Sequence, residues 1–307
     1  RNERDVLRIK AGGTLDAGSL YPAYGHPLLR RLHGKTGWQA DIDVKDRLAD
    51  VRISSDLLGL GSTLPPPFDK AAGQRLSLRF EQKDIDARND ALELGLGDLL
   101  RAEFVRSLDR EQGWQVRRGD IVLGDPQPAQ HRDGVWLSGH LPYLALQGWG
   151  GLFAMQDRAG DPPDIAGIDV RVDAAQGYGN TLHDLRVRGS GRNGLISTRL
   201  SAREASGDLI WQPQEEGKLY VRLKHLMLGE NDATLPAVLE EQEAVPEASA
   251  PLTMPEIDLA VEQLSWKGRQ LGKLEMLMVG EEGDAVLRRL RLTNPDGTVN
   301  ASGRWRP

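Results

Sequence analysis

The sequence contains no cysteine, which excludes disulfides, thiolate nucleophiles and thiolate metal sites, and leaves the redox compartment open. Aromatic residues make up only 5% of the chain. Compact β-sandwiches fill their cores with bulky side chains from two sheets. The supply here, mostly Leu and Val, suits one face of a sheet better than two closed cores. No run of 18 apolar residues occurs, so no helix of this sequence is expected to cross a bilayer. Net charge is −6, with acidic and basic residues interspersed and no basic stripe carrying aromatics. Nucleic acid is therefore not an expected partner.

Recognisable catalytic spacing is also missing. The histidines stand at positions 26, 33, 131, 140, 183 and 225, and none forms a metal-type pair. His183 and Asp184 are neighbours on a predicted strand, where adjacent side chains point to opposite faces, so they make no dyad and a surface position is expected for the histidine. Asp41, Asp43 and Asp46 lack the glycine and terminal glutamate of a calcium loop. Gly148-Trp149-Gly150-Gly151 lacks the Lys-Ser/Thr of a phosphate loop. Neither an enzyme nor a bound metal or cofactor is expected.

What is abundant is period-two alternation. In residues 182–211, Leu185 and Val187 alternate with Asp184, Arg186 and Arg188; Gly189-Ser190-Gly191-Arg192-Asn193-Gly194 breaks the run; Ile196, Thr198, Leu200 and Ala202 resume it. A turn at Glu204–Asp208 then leads into Leu209-Ile210-Trp211, giving strand, turn, strand, turn, strand. The same grammar returns in 274–305, through Leu290 and Leu292 and the turn Asn294-Pro295-Asp296-Gly297, to a strand closing on Trp305. Loose repeats of one supersecondary unit suggest a stacked, elongated architecture.

Further strands are expected over 4–16, ended by Gly12-Gly13, then at Trp38–Val44, at Val51 and Ile53, and at roughly even intervals through Leu137, as in a long meander. Leu64-Pro65-Pro66-Pro67 reads as a rigid irregular connection at a sheet edge. Tyr143, Leu146, Trp149, Leu152 and Phe153 recur at three- and four-residue spacing, so a short helix or plug is expected over 140–157. Residues 229–256, with Glu240-Glu241-Gln242-Glu243, read as an acidic, proline-containing loop. The expected organisation is thus β-groove segments over 1–139, 158–228 and 257–307, separated by the 140–157 and 229–256 elements.

The predicted fold is mostly β: a long twisted antiparallel sheet of repeated amphipathic hairpins, curled into an elongated groove, with one or two short helices. Many amphipathic strands without a matching set of amphipathic helices leave a long apolar face in need of a partner. Either the sheet closes on itself or it forms a trough for something apolar. Acyl chains suit the second case, since each buried methylene contributes ~0.8 kcal/mol. The lining would include Val170, Val172, Leu185, Val187, Leu200, Leu290 and Leu292. A module binding protein partners by strand addition at exposed edges is the alternative. A carbohydrate-active protein would need clustered surface aromatics and a carboxylate pair, which the sparse aromatics disfavour.

Three stretches resemble the AsmA-like superfamily, specifically its YhdP family. They are Ser55-Asp56-Leu57-Leu58-Gly59-Leu60 with Leu64–Pro67 and Lys70-Ala71-Ala72-Gly73; Pro255–Leu259 with Leu264-Ser265-Trp266-Lys267-Gly268 and Leu271-Gly272; and Asn294–Gly297 with Ala301–Arg306. The resemblance implies an inner-membrane-anchored parent whose periplasmic β-groove carries phospholipid acyl chains toward the outer membrane. The chain opens on Arg1 and has no N-terminal membrane helix. It reads as an interior piece, meeting both membranes through parts of the parent outside this sequence.

Overall fold

A computed structural model describes residues 7–46, 48–111, 113–124, 133–149, 165–192, 194–213, 217–229, 255–281 and 284–305. Of these described residues, strand accounts for 75% and helix for 5%. Among the described residues eighteen strands are assigned to one mixed sheet. The only α-helix among the described residues is α1 (Leu20–Tyr24), a single turn between two 3-10 turns, Ala17–Ser19 and Pro27–Arg31. The chain divides into two compact units, one of residues 1–142, 156–171 and 190–193, the other of 143–155, 172–189 and 194–307.

In the first unit, β1 (Leu7–Asp16), β2 (Leu32–Lys45), β3 (Leu48–Ser55), β5 (Leu78–Asp86), β6 (Asn89–Leu96), β7 (Leu100–Asp109), β8 (Gly113–Gly124) and β9 (Gly134–Ala145) pair in that order. The short β4 (Leu60–Ser62) pairs with the first residues of β2. β1 does not end at its glycines. Gly13 lies opposite Trp38, whose indole packs over the glycine and supplies the apolar cover it lacks.

β10 (Ile165–Gly177) and β11 (Asn180–Arg192) flank the turn Tyr178-Gly179. In the second unit β12 (Leu195–Ser201), β13 (Ala205–Gln212), β14 (Lys218–Leu228), β15 (Glu256–Trp266), β16 (Arg269–Glu281), β17 (Asp284–Asn294) and β18 (Gly297–Trp305) pair in sequence order. The two repeats expected from the sequence are the antiparallel runs β11–β13 and β16–β18, although β11 continues through Gly189 and Gly191 to Arg192. Gly189 is needed there, because a Cβ would lie 2.2 Å from the carbonyl oxygen of Ser197. Tight hairpins follow turn chemistry: Tyr178-Gly179 and Lys267-Gly268 place two consecutive residues at positive φ.

Two expectations are corrected. The sheet is mixed, because β8 with β9 and β14 with β15 pair in parallel. Parallel neighbours usually need a return connection of about a dozen residues or more; residues 229–255 supply that length between β14 and β15, whereas only residues 125–133 separate β8 from β9. The helix expected over 140–157 does not form at its start. β9 runs on to Ala145, with Leu141 2% exposed and Gly148 at φ +86° in the turn beyond it. Alternation of Leu141, Tyr143 and Ala145 with Val135 and Leu137 outweighs the three- and four-residue spacing. Residues 150–157 of that prediction, and 230–254 of the acidic loop, lie outside the described residues.

Candidate functional site

Side chains directly opposite each other on paired strands share a face, so the strand registers sort each unit into rows. In the first unit one row reads Ala11, Ala40, Ile53, Phe80, Leu94, Ala102, Ile121, Leu137, apolar across all eight paired strands. At a strand spacing near 4.8 Å this row extends roughly 34 Å. Its neighbour reads Ile9, Ile42, Val51, Gln82, Leu92, Phe104, Gly119, Val135. On the other flank stands an all-leucine row, Leu78, Leu96, Leu100, Leu123.

The opposite face of the same strands is charged. One of its rows reads Lys10, Asp41, Arg52, Glu81, Glu93, Glu103, Asp120, Trp136. Ion pairs lace it, including Arg52–Asp43 at 2.5 Å and Arg101–Glu103 at 2.7 Å. These pairs are exposed and contribute little stability each, but they fix this face toward water.

The second unit repeats the division. Its apolar rows read Leu200, Gly207, Leu223, Val261, Leu274, Leu292, Val299, then Thr198, Leu209, Val221, Leu259, Met276, Leu290, Ala301, then Ile196, Trp211, Leu219, Ile257, Met278, Leu287, Gly303. No formal charge interrupts them. Leu223, Val261 and Leu264 form their buried centre, with Leu226, Leu274 and Leu292 packed around it. The reverse face carries Arg199–Asp208 at 2.9 Å and Arg222–Asp258 at 3.0 Å. Lys273 donates to Glu275 at 2.6 Å, and that contact, strengthened by its charge, holds the Glu275 carboxyl below its ordinary range.

Among the described residues no helical layer covers either apolar face. Most of the side chains on these faces are half-buried. Leu7 and Val299 are 59% exposed.

The profile of the family described as YhdP protein matches residues 1–307, the whole sequence. The chain belongs to the YhdP family. Comparison with curated proteins and with solved structures gives no match.

In this YhdP-family chain the first of the resembling stretches is a locked connection beside β2 and β4. Buried Lys70 donates from Nζ to the carbonyl oxygens of Leu57 at 2.8 Å, Leu60 at 2.7 Å and Ala71 at 3.2 Å. Burial pushes its pKa down. Gly34 and Gly59 both hold positive φ, and a Cβ on Gly59 would stand 2.3 Å from the Lys35 carbonyl oxygen. The stretch is thus structural in this YhdP-family sheet, with its cation spent on backbone carbonyls.

The sequence-predicted lining residues are placed as follows. Leu200 and Leu292 occupy the first apolar row of the second unit and Leu290 the second. Val170 and Val172, both buried, alternate along β10; Leu185, buried, and Val187, half-buried, alternate along β11. His183 departs from its expected surface position. Its backbone N–H donates to Glu204 Oε2 at 2.7 Å, and its Nδ1 lies 2.6 Å from Glu204 Oε1. Burial alone would raise the Glu204 pKa, but hydrogen bonds from the His183 backbone and ring outweigh it and hold the carboxyl below its ordinary value. No group of three or more His, Asp or Glu with metal-binding geometry occurs among the described residues.

Sequence reasoning missed a polar row bordering the first unit's apolar face: Asp84, Asp90, Arg106 and Val116 are successive cross-strand partners. Asp90 is fully buried and accepts from Arg106 Nε at 2.9 Å, Arg106 Nη2 at 2.5 Å and Gln82 Nε2 at 3.1 Å. Arg106 also stacks over the Trp114 ring, 5.0 Å from its centroid. The signal lay in phase: Asp90 precedes Leu92, Leu94 and Leu96 by the strand period, and Arg106 follows Leu100, Ala102 and Phe104 in the same way.

Proposed function

We propose that this chain is a periplasmic, non-enzymatic segment of an inner-membrane-anchored, bridge-like protein, and that its apolar sheet face conducts phospholipids toward the outer membrane. The observation that carries the reading is the separation of faces. Apolar rows run unbroken across seven or eight strands, opposite charged rows, with no covering layer among the described residues. A row perpendicular to the strands offers the same apolar surface at every step. An acyl chain that slides along it exchanges one set of contacts for an equivalent one, so binding energy of ~0.8 kcal/mol per buried methylene holds the lipid without fixing it at one place. The charged reverse face keeps the sheet from stacking on a second copy. Val170, Val172, Leu185, Val187, Leu200, Leu290 and Leu292 belong to the proposed lining together with the rows above.

Native mass spectrometry with lipid extraction tests this reading, on the purified chain beside a variant carrying Leu94→Asp and Leu259→Asp. Phospholipid on the first and none on a still-folded second is expected. A folded native chain that carries none, even after incubation with phospholipid vesicles, rejects it.

A further inference from the structure

The polar row of the first unit is chemically matched to one kind of lipid head. Within the four rows that make up this face, formal charge occurs only there: two carboxylates, Asp84 and Asp90, and one guanidinium, Arg106. The three rows beside it are apolar except for Gln82.

Asp90 is saturated by its three donors. It grips Arg106 side-on through Nε and Nη2, which fixes the guanidinium plane and leaves Nη1 without a protein partner among the described residues. Arg106 is 24% exposed and Trp114 beside it 40% exposed, so both are reachable from the apolar rows. Asp84 is half-buried; its Oδ2 accepts the Ala49 N–H at 2.8 Å, and its Oδ1 has no protein partner among the described residues. Asp84 and Arg106 are two strands apart, roughly 10 Å between backbones, and the long arginine side chain closes part of that gap.

The charge balance then discriminates. With Arg106 neutralised by Asp90, the row carries a net charge of −1 from Asp84, so a purely anionic head is repelled. A head joining a phosphate to an amine satisfies both open groups, the phosphate taking Arg106 Nη1 and the ammonium meeting Asp84 Oδ1 and the Trp114 ring. We propose that Asp84, Arg106 and Trp114 form a headgroup station selecting zwitterionic, amine-bearing phospholipids, whose acyl chains lie over the neighbouring leucine and phenylalanine rows. This rests on the reading of the face as a lipid track and adds a preference to it.

The test is competitive loading of the purified chain from mixed vesicles of phosphatidylethanolamine and phosphatidylglycerol, with bound lipid extracted and quantified. The native chain is expected to favour the zwitterionic lipid by about two- to five-fold, the range for one half-exposed charge pair. Asp84→Asn keeps the acceptor for the Ala49 N–H, removes one negative charge and should level the preference. Glu93→Gln removes the same charge from the opposite face of the adjacent strand and should leave it intact. Trp114→Ala should weaken the preference without touching the Asp90–Arg106 pair. Equal loading of both lipids by the native chain, or equal effects of Asp84→Asn and Glu93→Gln, overturns the station while leaving the track standing. A native chain that takes up neither lipid overturns both.

Discussion

Replacing Asp90 with alanine should cost about 3–5 kcal/mol, the range for breaking a buried ion pair from one side. The carboxylate is fully buried and takes two charge-assisted hydrogen bonds from Arg106 and a third from Gln82. Its loss strands a largely buried guanidinium beside leucine rows, stacked over the Trp114 ring. With a urea slope near 3 kcal/mol/M, the top of the range for small proteins, the unfolding midpoint should fall by about 1–2 M. Removing both charges together tells a different story. Asp90→Leu with Arg106→Met removes both members of the pair, leaves Asp84 as the row's charge, and should return stability to within about 1 kcal/mol of the native chain. The assay is urea unfolding followed by circular dichroism on the native, single and double variants. A single variant within 1 kcal/mol of native, or a double variant as damaged as the single, refutes the reasoning.

Lys70→Met should destabilise the chain by about 2–4 kcal/mol, because the carbonyls of Leu57, Leu60 and Ala71 lose their donor; thermal melts measure it. Gly59→Ala should cost more than about 1 kcal/mol, since its φ of +89° and the nearby Lys35 carbonyl oxygen both oppose a side chain. The Glu204 carboxyl is depressed in the folded state, so its contribution is present at neutral pH and is lost as pH falls below the ordinary value of 4.5 and through the folded-state value. Glu204→Gln should therefore cost about 1–2 kcal/mol at pH 7 and progressively less in acid, read from urea midpoints taken at a series of pH values.

Strand type and the existence of an apolar face were legible because period-two alternation is written locally, as in Leu92, Leu94 and Leu96 or Val170 and Val172. The repeat units were legible because the turns carry their own chemistry; in the last hairpin Asn294 Oδ1 accepts from the N–H groups of Asp296 and Gly297. Strand direction was not legible at β8–β9 and β14–β15, where it depends on how a longer connection returns. Partnership was not legible either. Glu204 lies 21 residues from His183, Asp90 lies 16 from Arg106, and Lys70 lies 13 from Leu57. Nothing local in the sequence announces contacts that only register and turn geometry create. Glycines misled: Gly13 and Gly189 look like strand ends, yet each marks a close approach inside a strand, to Trp38 and to Ser197.

The most direct test of the account is which face meets lipid. A photoreactive amino acid placed singly at Leu94 and Leu259 on the apolar rows, and at Glu93 and Arg222 on the charged face, should be irradiated in the presence of phospholipid vesicles and the products resolved by mass. Lipid adducts at Leu94 and Leu259 and none at Glu93 and Arg222 are the predicted result. Equal adducts on both faces, or none at the apolar positions, contradict a lipid-conducting sheet.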